Sequence, residues 1–425
     1  MEGYTQGHVK RKRETFYFVY PKPAIFVPDT QKYPSSWLIH LGYVTKNSLK
    51  NKEKALDYIG SKFMSVYILM LILSLLLMYF YDKYFSGLSK KICVTTGGLF
   101  HFQFRNKIWM LLPMLPMAIV GGIRYGVGQD YFYTYVPVFK KILINSSEEV
   151  WGDAGYSLLN RLVQVFTHDY AGIFIVTSFI FSFFIVKAIV ENSIDKCLSI
   201  YLIICSGYYF CSLNGIRQMI AASILLYAMK YVINRDKIKF IFYTLLASVI
   251  HLSALIFMPV YFIPCLKLKN LHRAIIPVIT FVLARPLSSL ITKILIPTKY
   301  GWYFTAESYK AEREGVVMIL INICILIYAC ILNKDKKNNL WINLQMITVC
   351  LTAFIGKIPV ATRLVWYFGL PSIILIPNIL VQQKGKYEKI FIKIVLVILY
   401  FIYFYYTIGI KNSNSVLPYQ TIFSR

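Results

Sequence analysis

The stretch "AGIFIVTSFIFSFFIVKAIV", residues 171 to 190, holds one charge, Lys187, in twenty residues. A bilayer core takes about 20 apolar residues per helical crossing, so this run reads as a membrane span. "MSVYILMLILSLLLMYF" (64–80) has the same character. With 57% hydrophobic side chains and a mean hydropathy of +0.56 over 425 residues, the chain carries more apolar surface than a soluble globule needs. The expectation is an all-α, polytopic integral membrane protein with about 11–12 transmembrane helices. Apolar segments fall near 64–81, 107–123, 170–190, 197–213, 215–233, 238–265, 274–296, 315–332, 340–356, 363–381 and 389–409. The 238–265 run is too long for one crossing and too short for two, with His251 and Ser253 at its middle. It is expected to be split or re-entrant near His251, because irregular backbone at membrane depth needs protein or a water-filled cavity around it.

The net charge of +27 invites a nucleic-acid reading, but the basic residues form short clusters between apolar runs. The positive-inside rule accounts for them better. If 107–123 runs outward, "NRDKIK", "KLKNLHR", "NKDKKNN" and "KGKYEK" all fall inside, while "SSEEVWGD" and the 300–314 segment fall outside. We expect a multi-pass membrane protein with no nucleic-acid partner. The same count puts the amino terminus outside, against the basic run "KRKRE" near it. Residues 1–63 are therefore expected to be either a polar extension or an over-extended reading frame whose start is Met64. A multi-helix domain then covers 64–411 and a short tail 412–425. The eight cysteines show neither Cys-x-x-Cys pairs nor ligand spacing, and no metal or cofactor is expected.

Five arginines break the positive-inside bias: Arg124, Arg217, Arg285, Arg313 and Arg363. An arginine at membrane depth costs about 2.5–3.5 kcal/mol on insertion scales. Each taken alone is most simply read as snorkelling to the headgroups. Five at one depth point instead to an anion site, since the planar guanidinium fork fits diphosphate oxygens. Arg124 lies in "GGIRYGVGQDY" (121–131), where Gly121, Gly122, Gly126 and Gly128 are expected to let Arg124 bend back over the membrane mouth while Asp130 stays in water. A nucleotide-binding loop fails there, for want of a preceding strand. Arg217 and Gln218 open the helix "GIRQMIAASILLYAMKYVI", with Asn214 the expected N-cap. His251 is either a hydrogen-bonded packing residue or a catalyst. The outer carboxylates are Asp130, Glu148, Glu149, Asp153, Glu307, Glu312 and Glu314. None forms an Asp-x-Asp pair of the metal-diphosphate kind.

"RYGVGQDY" (124–131), "NGIRQMIAAS" (214–223) and "LLASVIHLSALI" (245–256) resemble, in order and spacing, the EpsG family of Wzy-like polysaccharide polymerases. The resemblance implies a glycosyltransferase that joins polyprenyl-diphosphate-linked oligosaccharide repeats on the outer side of the membrane. Its motif positions match Arg124, Tyr125, Gly126, Gly128, Asp130, Arg217, Gln218, His251 and Ser253, although the family's Phe-His is Ile250-His251 here. On this reading Arg124, Arg217 and Arg363 bind the leaving diphosphate and His251 is the general base, with Asp130 in reserve. Tyr125, Tyr131, Gln218 and Ser253 line the substrate cavity. A flippase and a chain-length regulator are the expected protein partners. The rival readings are a lipid-linked oligosaccharide flippase, a glycan ligase and a membrane acyltransferase.

Overall fold

The computed structural model describes residues 49–86, 108–145, 153–298, 301–305, 315–359 and 361–425. Of the expected 1–63 extension, residues 1–48 lie outside them. The chain divides into two compact units, Met1–Asp57 and Tyr58–Arg425.

The helices used below are, in chain order, α1 (Leu49–Tyr81), α2 (Leu115–Gly122), α3 (Val136–Ile144), α4 (Ala154–Phe166), α5 (Ala171–Asn192), α6 (Lys196–Cys205), α7 (Tyr208–Asn214), α8 (Ile216–Ile233), α9 (Lys237–Ile250), α10 (Asn270–Leu295), α11 (Val316–Leu332), α12 (Asn339–Thr352), α13 (Ala361–Gly369), α14 (Ser372–Val381) and α15 (Lys386–Phe404). The fold is all-α: no strand occurs among the described residues. Among the described residues six helical spans are long and apolar enough to cross a membrane, and α6 with α7, bent by 51° at Ser206–Gly207, makes a seventh. The expected eleven to twelve helices also take in shorter apolar ones. α9 and α12 have 14 residues each and α11 has 17, which at 1.5 Å of rise fall short of a roughly 30 Å hydrocarbon core.

At the centre is α8, most of whose residues are buried. It packs against α5 and α9, and α5 in turn against α2. Gly121 and Gly122 end α2 without turning the chain. A Cβ on Gly121 would stand 2.2 Å from Ser178 Oγ, and one on Gly122 3.0 Å from Ile175 Cα, so these glycines serve the close α2–α5 crossing. The outer faces of α10 and α15 carry exposed Val282, Ile294, Phe391 and Leu399, which in a bilayer meet acyl chains. On α4 the exposed side is also apolar, with Leu158, Leu162, Val165 and Phe166 at helical spacing.

The chain breaks at His251 as expected. α9 stops at Ile250, His251 is extended (φ −153°, ψ 111°), and a 3₁₀ segment, Leu252–Cys265, follows with Pro259 and Pro264 inside it. Proline cannot donate to a helix ladder, and among described residues no α-helix resumes before Asn270.

The tail 412–425 is folded against the loop after α2. Gly128 N donates to Ser415 O (2.9 Å), Tyr125 N to Gln420 O (2.9 Å) and Ile422 N to Ile123 O (2.8 Å). Tyr67 and Tyr419 clasp it through hydroxyl bonds to Val416 O and Val120 O, each 2.8 Å. Gly128 takes φ +102°, and a Cβ there would stand 2.9 Å from Asn214 Oδ1, so only glycine turns the loop this way beside α7.

Candidate active site

Three chain breaks meet at one end of α8. The first is the start of α8 itself, whose leading N–H groups have no partner within the helix. Asn214 was the expected cap, but it closes α7, and Gly215 takes the N-cap position with no side-chain bond. A tyrosine does the work instead: Ile216 N donates to Tyr135 Oη (2.9 Å), and Tyr135 Oη donates to Asn214 O (2.7 Å). The side chain of Asn214 turns to the tail, donating to Asn414 O at 3.0 Å.

The second break is at His251, where the Leu252 N–H would be left unpaired. Asp153 supplies the acceptor. Its Oδ1 takes the Leu252 N–H at 3.2 Å, and its Oδ2 lies 2.9 Å from His251 Nδ1 and also accepts from Arg217 Nη1. The Asp153 side chain is 4% exposed. It reaches this position because α4 presses on the end of α9 at Gly155, where a Cβ would meet the Val249 carbonyl oxygen at 2.7 Å. Burial opposes the charge on Asp153, but the His251 hydrogen bond, then Arg217 and the Leu252 amide outweigh it and hold the carboxyl below the usual range.

The third is the start of α13. Trp366 packs on Gly215, where a Cβ would stand 2.6 Å from its ring. Gln218 Nε2 donates to Arg363 O (2.6 Å). One turn further along α13, Tyr367 Oη lies 2.9 Å from Ser253 Oγ. Both Arg363 and Arg217 act on Asp130: burial pushes its carboxyl up from the ordinary value, opposed by Arg363 and then Arg217.

The structure thus brings together Asp130, Arg217, Gln218, His251, Ser253 and Arg363, six residues drawn from four separate stretches of sequence. It adds Asp153 and Tyr367. Arg124 is placed differently. It does not bend over the mouth but turns inward and is 2% exposed. Its guanidinium carbon sits 5.1 Å from the Phe174 ring centre and 6.0 Å from that of Tyr131, and it borders a cavity of about 10 Å³ that Ser212 and Thr177 also line. Burial lowers its pKa, with Tyr209 and Tyr131 opposing. Tyr131 is fully buried, stacked on Phe174 at 4.0 Å. Tyr125 is partly exposed and packs edge-on to Phe132.

Asp153 was legible only as one of seven outer carboxylates. The signal for it was its place between glycines, in "WGDAGYSLLNRL", ahead of residues that alternate in character at helical spacing.

An all-α membrane protein with carboxylates, arginines and a histidine gathered at one end of its central helix is a candidate membrane-embedded enzyme. The EpsG family profile matches residues 107–421, and the chain belongs to that family, a Wzy-like polysaccharide polymerase family. The matched region contains every residue of the site. No curated protein and no solved structure matches.

Proposed function

We propose that the chain polymerises polyprenyl-diphosphate-linked oligosaccharide repeats on the outer face of the bacterial inner membrane. The growing glycan is the donor, joined to its lipid through the anomeric carbon. A hydroxyl of the incoming repeat attacks that carbon. The new C–O bond forms as the bond to the diphosphate oxygen breaks, the lipid diphosphate leaves, and the hydroxyl proton passes to His251 Nε2.

The observation that carries this reading is the shared contact of Asp153 with His251 and Arg217. An ionised Asp153 accepts the Nδ1–H of His251, which leaves Nε2 as the basic nitrogen. This is the orienting role a carboxylate has beside any catalytic histidine. The same carboxylate holds Arg217 in one position, next to Arg363 and at the dipole-positive start of α8, a combination suited to the charge that builds on the departing diphosphate. Asp130, raised by burial, faces both arginines. It gives up its claim on them when it is protonated, so anion binding and proton uptake are linked there. Arg124 adds positive charge from beneath, through the tyrosines Tyr135 and Tyr156 that Arg217 also faces. Ser253 and the exposed part of Tyr125 offer hydrogen bonds to sugar hydroxyls, while the buried Gln218 and Tyr367 position Arg363 and Ser253. A flippase supplies the repeats, and a length regulator acts on the product.

The test is to incubate the purified protein with lipid-linked single repeats and resolve the products on a gel. A ladder is expected from the wild type, and single repeats only from His251→Ala and Arg217→Ala. A ladder of wild-type length from either variant would remove the site from the mechanism, and no ladder from folded wild-type protein would remove the activity.

A further inference from the structure

Lys230 and Arg235 lie at the other end of α8. At 1.5 Å per residue, Lys230 stands roughly 20 Å along the helix axis from Arg217. There the helix ends surround an open cavity of about 1250 Å³, large enough for a small-molecule headgroup. Its walls carry six cations, Lys230, Arg235, Lys239, Lys267, Lys336 and Lys337, against two carboxylates, Glu191 and Asp335. Lys230 pairs with Glu191 at 3.2 Å, and Lys239 pairs with Asp236 at 2.7 Å. Asp335 accepts the backbone N–H of Lys337 (2.9 Å) as the cap of a 3₁₀ turn. Lys267, Lys336 and Lys337 have no ion pair among the described residues. Arg235 sits at φ 58° just past the end of α8, a position that suits glycine or asparagine. Tyr261 Oη, donating to Arg235 O at 3.1 Å, holds it there.

A buried charge stands behind the wall. Arg273 on α10 is 3% exposed. Its partners among the described residues are amides: Nε donates to Asn343 Oδ1 (2.9 Å), Nη1 to Asn270 Oδ1 (3.0 Å) and Nη2 to Asn339 Oδ1 (3.0 Å). No carboxylate neutralises it among the described residues. A guanidinium only donates, so all three asparagines must turn their oxygens toward it and keep their NH₂ groups for something else. Asn339 and Asn343 line the cavity, and Asn343 Nδ2 gives a weak bond to Leu266 O at 3.4 Å. Asn339 Nδ2 is left as a donor at the cavity wall. Asn339 is also the first residue of α12; its own N–H is taken by Lys336 O of the preceding 3₁₀ turn, and the positive dipole end of the helix favours an anion.

We infer that this cavity binds a phosphoryl or diphosphoryl anion, at a site separate from the Asp153 cluster and on the opposite end of the bundle. Excess cations, the Asn339 amide donor oriented by a buried guanidinium, and a helix N-terminus all call for the same ligand chemistry. The group comes either from the headgroup of an anionic lipid entering between the helix ends or from a soluble phosphate.

The full chain in phosphatidylcholine nanodiscs is titrated calorimetrically with inorganic pyrophosphate. A parallel set of discs contains phosphatidylglycerol, with lipid retention read by native mass spectrometry. The variants are K336E/K337E, Asn339→Asp, which keeps an oxygen for Arg273 but loses the donor, and Arg217→Ala as the control at the other end. Saturable pyrophosphate binding that survives Arg217→Ala and weakens at least tenfold in the other two assigns a soluble phosphate. Selective retention of phosphatidylglycerol with the same variant pattern assigns a lipid headgroup. The inference is overturned if neither probe binds the wild type, if binding is lost with Arg217→Ala alone, or if K336E/K337E and Asn339→Asp, shown folded by unchanged melting, bind as the wild type does.

Discussion

Asp153→Asn replaces one atom and removes the charge that three partners share. Arg217 and His251 lose a common acceptor, and the Leu252 N–H must compete with them for the single amide oxygen that remains. The amide nitrogen can only donate, so if it turns to His251 it forces Nδ1 to accept and moves the ring proton to Nε2, which disables the base. Loss of one partner from a buried pair costs about 3–5 kcal/mol. Here the Arg217 and His251 side chains are 16% and 21% exposed, so water recovers part of that, and the expected loss of stability is ~2–3 kcal/mol. A mis-set histidine tautomer lowers turnover by about 10⁴, or ~5 kcal/mol of barrier. The activity loss should therefore exceed the stability loss. The rate is read as single-turnover elongation with saturating lipid-linked repeats, and stability as thermal unfolding of the same preparation.

The pH dependence has a definite sign. The Asp153 carboxyl lies below its unfolded value of about 3.9, so its contribution is complete above that value and is lost as pH falls through the folded pKa. The gap in melting temperature between wild type and variant should hold from neutral pH down to about 5 and close below about 4. Elongation by the folded variant within about tenfold of wild type would refute the orienting role.

Asp130→Asn should behave oppositely in stability. Burial raises that carboxyl, so its folded form favours the proton, an advantage that is lost as pH rises. At pH 7 the variant should melt at or above the wild-type temperature while its elongation rate falls, and a lower melting temperature would contradict this. Arg124→Met keeps the packing on Phe174 and Tyr131 and removes a buried charge. It should cost under about 1.5 kcal/mol in unfolding and slow elongation far less than Arg217→Ala; equal losses would make Arg124 a direct ligand. Deleting residues 412–425 leaves the Tyr125 and Gly128 amides and the Ile123 carbonyl without their partners. At roughly 1 kcal/mol per bond, with the burial of Val416 and Tyr419 lost as well, the truncation should unfold about 3 kcal/mol or more easily, and an unchanged melting curve would show that the tail adds nothing.

Much was written in local composition. Long apolar runs such as 171–190 need no partner to declare a span, because the bilayer sets their length and hydrogen bonds within the run satisfy the backbone. The break at His251 was also local, since the prolines at 259 and 264 and the polar pair at 251 and 253 interrupt one helix wherever it packs. So was the placing of Arg124 and Arg217 in two of the three motif blocks. The length of the shorter apolar helices was not wholly local: α9 and α12 stop at Ile250 and Thr352 inside longer apolar runs. Nor was the direction of Arg124. The glycines beside it permit more than one path, and the tail pairing with residues 123–128 selects the inward one. Asp153 was the least legible. A single aspartate ahead of a short amphipathic helix carries no mark of its partners, and it meets Arg217, 64 residues away, and His251, 98 residues away, only because Gly155 lets α4 close on the end of α9.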